Sequence, residues 1–331
     1  MGRSIRTAAA LWLALLLCVP AFAAEPESLV PVGRTVGLEL ETDGVYVVGF
    51  SEGNGCSPAQ AAGLQVGDRI RAVNGVPLDT AENLRGLVAK ADGAAVVLDV
   101  DRAGRAVQLA VRPGEQDGQP CLGIRVRDRI AGLGTVTFYD PETGLFGALG
   151  HGVSGGGTEP MIIRGGLAAE TSVTGIRRGA AGKPGSLLGS FGSGKILGRV
   201  EQNTDRGLFG HAADAALAGQ SVPLADRDEV AAGPAEIWCG VDGGEVLCYT
   251  VEIEAVRLDT EQCRDLRIVV TDPRLLEQTG GIVQGMSGSP ILQDGKLVGA
   301  VTHVLVRDPT RGYGILIRHM LEGADQAAKA A

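Results

Sequence analysis

The chain has 331 residues, a net charge of −9, 51 glycines and only 4% aromatic residues. That length is enough for two domains with real cores. Many glycines between short apolar runs favour turn-rich β structure over helical bundles. The acidic balance and the lack of a long basic run argue against nucleic-acid binding, which needs clustered Lys and Arg.

Read in chain order, the first segment has the pattern of an export signal. Arg3 and Arg6 precede an apolar run over residues 8–19, and the A-x-A triplet at 21–23 supplies a cleavage site. Residues 7–24 are almost long enough to span a bilayer, so an uncleaved anchor is the competing reading. Residues 1–23 are therefore assigned to a signal peptide or anchor, and 24–34 to a linker.

From 35 to 113, strand-like runs alternate with turn signals. Val45–Val48, Val96–Val100 and Val107–Val111 are β-rich, and the last two flank a turn at Ala103-Gly104. A helix is expected over 80–91, with Thr80 as its cap and Leu84, Leu87 and Val88 at helical spacing. Residues 57–70 (SPAQAAGLQVGDRI) with 73–75 (VNG) resemble the core of a bacterial PDZ domain. The resemblance makes Gly37-Leu38-Glu39-Leu40 the loop whose N–H groups hold a peptide carboxylate, beside a strand edge that accepts the peptide. Glu39 departs from the glycine usual at its position.

Residues 114–120 are turn-rich and read as a second linker, and 121–322 as a second unit. Its Gly-rich middle, 152–220, is expected to be loops joining short strands. Residues 323–331 form an Ala-rich tail, expected to be a short frayed helix.

The second unit carries Gly285-Met286-Ser287-Gly288-Ser289-Pro290. A nucleophilic serine needs a sharp turn and neighbouring N–H groups for an oxyanion, and flanking glycines permit both. Asp294-Gly295 then forms a hairpin turn between two apolar strands. The motif resembles the G-D-S-G-G-P of chymotrypsin-like serine proteases. The fold class expected is thus mainly β, a PDZ domain followed by a two-barrel peptidase.

Of the four histidines, His151 and His211 both follow apolar runs closed by glycine, and composition does not separate them. By alignment with chymotrypsin-like enzymes, Thr302 and His303 border the substrate pocket. The usual pocket-floor position is Gly281, which argues against trypsin-like specificity. Asp272 ends an apolar strand, with Asp140, Asp205 and Asp214 as rivals; before Pro273 it also reads as an ordinary turn-initiating residue.

One decoy is set aside. Residues 189–195 match G-x-x-x-x-G-K, but Ile196 stands where a hydroxyl would bind magnesium. No zinc motif occurs, and no metal or cofactor is expected. Of the six cysteines, Cys18 lies in the leader, which leaves an odd set. A two-residue turn at Gly243-Gly244 would bring Cys239 opposite Cys248 as a disulfide, whereas a turn at Asp242-Gly243 would break that register.

The order of segments, with GALGHGVS around His151 and TDPRLLEQTGGIVQGMSGSPI through Ser287, closely resembles the SpoIVB serine peptidases of endospore-forming bacteria. The resemblance implies a triad of His151, Asp272 and Ser287, with an oxyanion hole from the N–H groups of Gly285 and Ser287. It implies export to the forespore intermembrane space, self-cleavage, and cleavage of a membrane-bound inhibitory partner. That cut releases a membrane metalloprotease that matures a late mother-cell sigma factor. Met286 replaces the aspartate that pairs with a freed N-terminus in chymotrypsin-like enzymes, so that ion pair is not the switch here. Two other readings stand: a quality-control protease, disfavoured by the domain order, and a PDZ adaptor whose protease-like half only binds peptides.

Overall fold

The computed structural model describes residues 26–51, 57–156, 159–190, 194–213, 216–241, 243, 245–257 and 263–330. The signal or anchor segment lies outside the described residues, as do Cys56 and Asp214. Among the described residues no helix is long and apolar enough to cross a membrane.

The elements begin with β1 (Ser28–Pro31) and β2 (Thr35–Phe50). Next come α1 (Pro58–Ala61), β3 (Arg69–Val73), β4 (Val76–Pro77), α2 (Ala81–Lys90), β5 (Val96–Arg102) and β6 (Arg105–Val111). After β7 (Gly114–Gln116) and β8 (Gln119–Cys121) come β9 (Ile124–Tyr139), β10 (Leu145–Ala148) and β11 (Ile163–Glu170). A hairpin of β12 (Ser172–Arg177) and β13 (Ser186–Ser190) precedes β14 (Ile196–Thr204), β15 (Gly207–Ala212) and β16 (Val222–Pro223). The last run is β17 (Gly233–Cys239), β18 (Leu247–Val256), β19 (Leu266–Val270), α3 (Pro273–Thr279), β20 (Pro290–Gln293), β21 (Lys296–Val304), β22 (Arg311–Leu316) and α4 (Ile317–Ala330).

Two antiparallel barrels result. In the first, the ladder runs β2-β9-β10-β15-β14-β11 and returns to β2. In the second, β17-β18-β19-β22-β21-β20 closes on itself. Closure removes the unpaired edges that an open sheet would expose. Val36, Leu40, Val136, Phe146 and Leu208 fill the first barrel, and Ile237, Val251, Ile268, Ile291 and Val301 the second.

The Gly-rich middle holds short strands joined by loops, as expected, and three of them, β11, β14 and β15, make half of the first barrel. Glycine here serves close strand packing. A Cβ would sit 2.4 Å from the Glu39 carbonyl oxygen at Gly166 and 1.9 Å from the Arg199 oxygen at Gly210. Small residues conceal strands because strand propensity reflects packing by large side chains.

The domain boundaries also need correction. β2 first pairs with β9 in the barrel (Glu39 opposite Ala131), then continues into the PDZ unit, where Tyr46 faces Arg127 and Phe50 faces Ile124. The PDZ core gathers Val45, Val47, Ile70, Leu84, Val88 and Leu98, with Val126 packed against it. The PDZ domain is thus nested inside the first hairpin of the first barrel, and the peptidase begins before it. The 24–34 stretch is no free linker, because β1 pairs with β9 and β16. Residues 114–120 form the β7–β8 hairpin, and the tail from 323 belongs to α4.

The local PDZ expectations hold. Thr80 caps α2 by accepting the Asn83 N–H at 3.1 Å. Val96, Leu98 and Val100 are buried at alternate positions of β5. The β5–β6 turn has positive φ at both Ala103 and Gly104, as the twist of a two-residue hairpin requires.

Candidate active site

Ser287 sits on the loop that leads into β20. Gly285 (φ +102°) and Gly288 (φ +95°) occupy the region open to glycine. A Cβ on Gly288 would lie 2.0 Å from the Thr135 carbonyl oxygen, so this loop docks directly on β9 of the first barrel. Two further bonds fix it: the Thr135 N–H donates to the Ser287 carbonyl (2.9 Å) and the Thr135 hydroxyl to the Gly285 carbonyl (2.8 Å). The N–H groups of Gly285 and Ser287 donate to no acceptor among the described residues. The Ser287 hydroxyl donates to the Thr302 carbonyl at 2.9 Å.

His151 follows β10. Leu149 (φ +69°) and Gly150 (φ +68°) turn the chain toward the second barrel. A left-handed leucine costs about 1–2 kcal/mol, and the Leu149 N–H bond to the Thr135 oxygen (3.2 Å) helps hold it. The His151 Nδ1 lies 2.9 Å from the Gly152 carbonyl. A carbonyl can only accept, so this contact places the proton on Nδ1 and leaves Nε2 with the lone pair a general base needs. Burial holds this imidazole below the ordinary histidine value, against the raising effect of that bond.

The two barrels meet at a cleft of about 740 Å³ that both residues line. Its walls are mostly apolar, with Leu38, Leu40 and Leu133 on one side and Ile282, Val283 and Val304 on the other. Thr302 and His303 also line it. The Thr302 hydroxyl turns inward to the Cys263 carbonyl at 2.8 Å, so it is its backbone that faces Ser287. The His303 ring centroid lies 4.9 Å from that of His151. Burial first, then His151 and Arg264, push the His303 pKa down to about 4. At Gly281 a Cβ would lie 2.2 Å from the Pro309 oxygen, so no side chain fits there.

Asp272 is not brought to His151, which corrects the expected triad. Its carboxylate caps α3, accepting the Arg274 N–H (2.9 Å) and the Thr250 N–H (3.3 Å) and pairing with the Arg274 guanidinium (2.8 Å). Arg274 above all holds this carboxyl down at about 2. The cause is local: Asp before Pro is a strong helix start, and the cap consumes the acceptor capacity. Of the rivals, Asp214 lies outside the described residues, and the other two do not take its place. Asp140 closes the β9–β10 turn through Glu142 and Thr143. Asp205 offers its carbonyl to the Gly152 N–H, while its residue is exposed. His211 pairs with Glu201 on the barrel surface, and His319 with Asp265. Position in the cleft separates His151 from His211.

The SpoIVB peptidase S55 family matches residues 118–321. The chain belongs to that family. By this membership it is a serine peptidase, and a PDZ domain matches residues 56–102. Zinc metalloprotease RasP of Shouchella clausii is 37% identical over 106 residues, which covers 28% of this peptidase and 25% of that protein. The chain thus spans about a quarter of that relative's length. No H-E-x-x-H zinc motif accompanies the likeness. Among solved structures, the PDZ domain of an SdrC-like protein from Listeria monocytogenes is 24% identical, with TM-score 0.23, covering 26% of this chain and 90% of that one. The HtrA-type protease AlgW with a decapeptide is 11% identical, with TM-score 0.38, covering 90% and 65%.

The expected PDZ carboxylate loop is also corrected. Residues 37–40 lie mid-strand in β2, paired to β9 on one side and β11 on the other, so the ladders use their N–H groups. Leu38 and Leu40 instead line the inter-barrel cleft. A groove of about 880 Å³ runs elsewhere, between α2 and the β9 edge at Ile124–Val126. At its end the N–H groups of Leu122 and Gly123 donate to no acceptor among the described residues. The signal missed in the sequence is Cys121-Leu122-Gly123-Ile124, an apolar-Gly-apolar turn directly before an alternating strand.

The expected disulfide is absent: Cys239 and Cys248 are both free thiols. The register sets Cys248 opposite Trp238 and Cys239 opposite Leu247, one step from either turn considered. Neighbouring positions point to opposite faces, so Cys239 is buried while Cys248 donates to the Glu236 carboxylate at 2.8 Å.

Proposed function

We propose that this peptidase is a self-processing signalling endopeptidase, exported across the membrane, with Ser287 as nucleophile and His151 as general base. The observation that carries the reading is that Ser287, His151 and Gly285 line one inter-barrel cleft, where the N–H groups of Gly285 and Ser287 donate to no acceptor among the described residues. In the reaction, the Ser287 hydroxyl leaves the Thr302 carbonyl and gives its proton to Nε2 of His151 as it attacks the scissile carbonyl. The N–H groups of Gly285 and Ser287 take up the oxyanion. His151 then passes the proton to the leaving amine, and water releases the acyl-enzyme. The Gly152 carbonyl selects the imidazole tautomer, the part an aspartate plays in chymotrypsin-like triads.

The substrates in this reading are the chain itself and a membrane-bound inhibitor of a membrane metalloprotease in sporulation, with the PDZ groove taking a peptide end. Family membership supports the pathway. The α2–β9 groove, with a strand edge and amides that donate to no acceptor among the described residues, supports peptide capture.

The test is intact-mass and fragment analysis of the purified chain over time beside Ser287→Ala, with fluorophosphonate labelling of both. Fragments and label confined to the unmutated chain are the expected result. Equal fragmentation in both would assign cleavage to a contaminant. Failure of the unmutated chain to label would leave the adaptor reading.

A further inference from the structure

An oxyanion loop needs an anchor, because its N–H groups must stay aimed at the cleft while the reaction builds negative charge. Here the residue before the serine is Met286, fully buried and uncharged, so no ion pair does this. The β12–β13 hairpin reaches the same loop from the first-barrel half of the chain. The Gln284 N–H donates to the Gly185 carbonyl (2.9 Å), and the Leu187 N–H donates to the Gln284 carbonyl (2.8 Å). The Leu187 side chain covers Gly285, where a Cβ would lie 3.0 Å from its Cδ1 and 3.1 Å from its Cβ. Leu187 is only 6% exposed and is packed with the second barrel's core.

The hairpin is itself tied down. The Gly179 N–H donates to the Thr279 carbonyl and the Gly182 N–H to the Val306 carbonyl, both at 2.8 Å. On the opposite side of the Gly285 peptide, the Thr135 hydroxyl holds its carbonyl.

We infer that the β12–β13 hairpin anchors the oxyanion loop and that Leu187 is its positioning residue, a role that rests on the serine-peptidase reading. Leu187 touches no reacting atom. It fixes the Gly285 peptide between β13 and β9, so that its N–H faces the cleft before substrate arrives.

The experiment compares Leu187→Ala, Leu187→Met and Thr135→Val with the unmutated chain on a cleaved peptide and on a peptide aldehyde, whose serine adduct is tetrahedral. Removing one oxyanion donor outright costs about 10²–10³-fold in kcat. Displacing it through Leu187→Ala should cost about 10- to 100-fold in kcat, with KM within about twofold. Aldehyde affinity should fall by a similar factor, and Leu187→Met should restore most of both. Thr135→Val should move the same two quantities, and it decides the matter if Leu187→Ala does not fold. Unchanged kcat in Thr135→Val and Leu187→Ala, or a raised KM with aldehyde affinity intact, would overturn the assignment. Fluorophosphonate labelling of the unmutated chain separates the two failures. Without it the serine-peptidase reading falls and this role with it; with it, an unchanged kcat removes only the role of Leu187.

Discussion

The second barrel is one run of chain from Gly233 to Leu316, while the first is assembled from pieces separated by the PDZ domain and by the β12–β13 hairpin. Each supplies half of the site. The second barrel presents Ser287 on a loop read directly from its glycines. The first presents His151 and Thr135, and the β12–β13 hairpin that interrupts it presents Leu187; the relation of all three to that loop exists only once distant segments have paired. The difference teaches that the nucleophile is a local property of this chain, whereas its activation is a property of barrel docking.

That contrast can be broken most forcefully at the residues that cross it. Ser287→Ala should lower peptide hydrolysis by about 10⁴–10⁶-fold, and His151→Ala by a comparable factor, because members of one unit are lost together. Steady-state turnover of both variants checks this, and a mild loss in His151→Ala would place the base elsewhere.

Gly288→Ala tests the docking itself. Its Cβ would meet the Thr135 oxygen at 2.0 Å, and it should lose more than about 10²-fold in kcat and more than about 2 kcal/mol of stability. Gly295→Ala, at positive φ but with nothing within 4 Å of its Cβ, should cost only about 1–2 kcal/mol and leave kcat alone. Thermal unfolding and turnover of the two side by side give the answer. Equal behaviour would mean that the barrels do not meet through Gly288.

Acid titration sharpens the first-barrel half. A general base works when neutral, so activity is present above its pKa and lost as the pH falls through it. Burial lowers the His151 value, so the acidic limb of kcat/KM should lie below the ordinary 6.5. A limb at or above 6.5 would mean that a carboxylate faces the imidazole after all.

The smallest effect on turnover is expected at Asp272. Asp272→Asn should change kcat by less than about tenfold, against about 10⁴ for the orienting aspartate of a triad, and weaken the fold by less than about 1 kcal/mol, because asparagine still caps α3 and only the charge paired with the exposed Arg274 is lost. The folded-state pKa is depressed, so the stabilising contribution is present above 3.8 and is lost as the pH falls toward about 2. A fall of 10⁴ in kcat would return Asp272 to the imidazole.

What could be read from the sequence follows the same division. The serine turn, the Asp294-Gly295 hairpin and the capped α2 are each specified within a dozen residues, and all three are present. Export, by contrast, concerns residues outside those described. The two-barrel class was legible, but the bounds of the first barrel's strands between 163 and 212 were not, because Gly166, Gly198 and Gly210 pack strands without the side chains that advertise them. Residues 37–40 misled because a Gly-Leu pair reads alike in a carboxylate loop and in a strand paired on both sides. Asp272 was ambiguous for a physical reason: an acid before proline satisfies a helix start as well as it could satisfy an imidazole.

The nesting of the PDZ domain has a consequence for how this gene can be cut. The two chain ends of the insert lie side by side, with Glu41 facing Arg129 just below the point where the strands leave the barrel. Truncation to residue 114 or beyond does not release a free-standing protease; it removes β2, a stave between β9 and β11. Splicing a short turn between positions 41 and 129 would join neighbours that already pair. Removing the PDZ module therefore needs only one junction, and it leaves every stave of the first barrel in place.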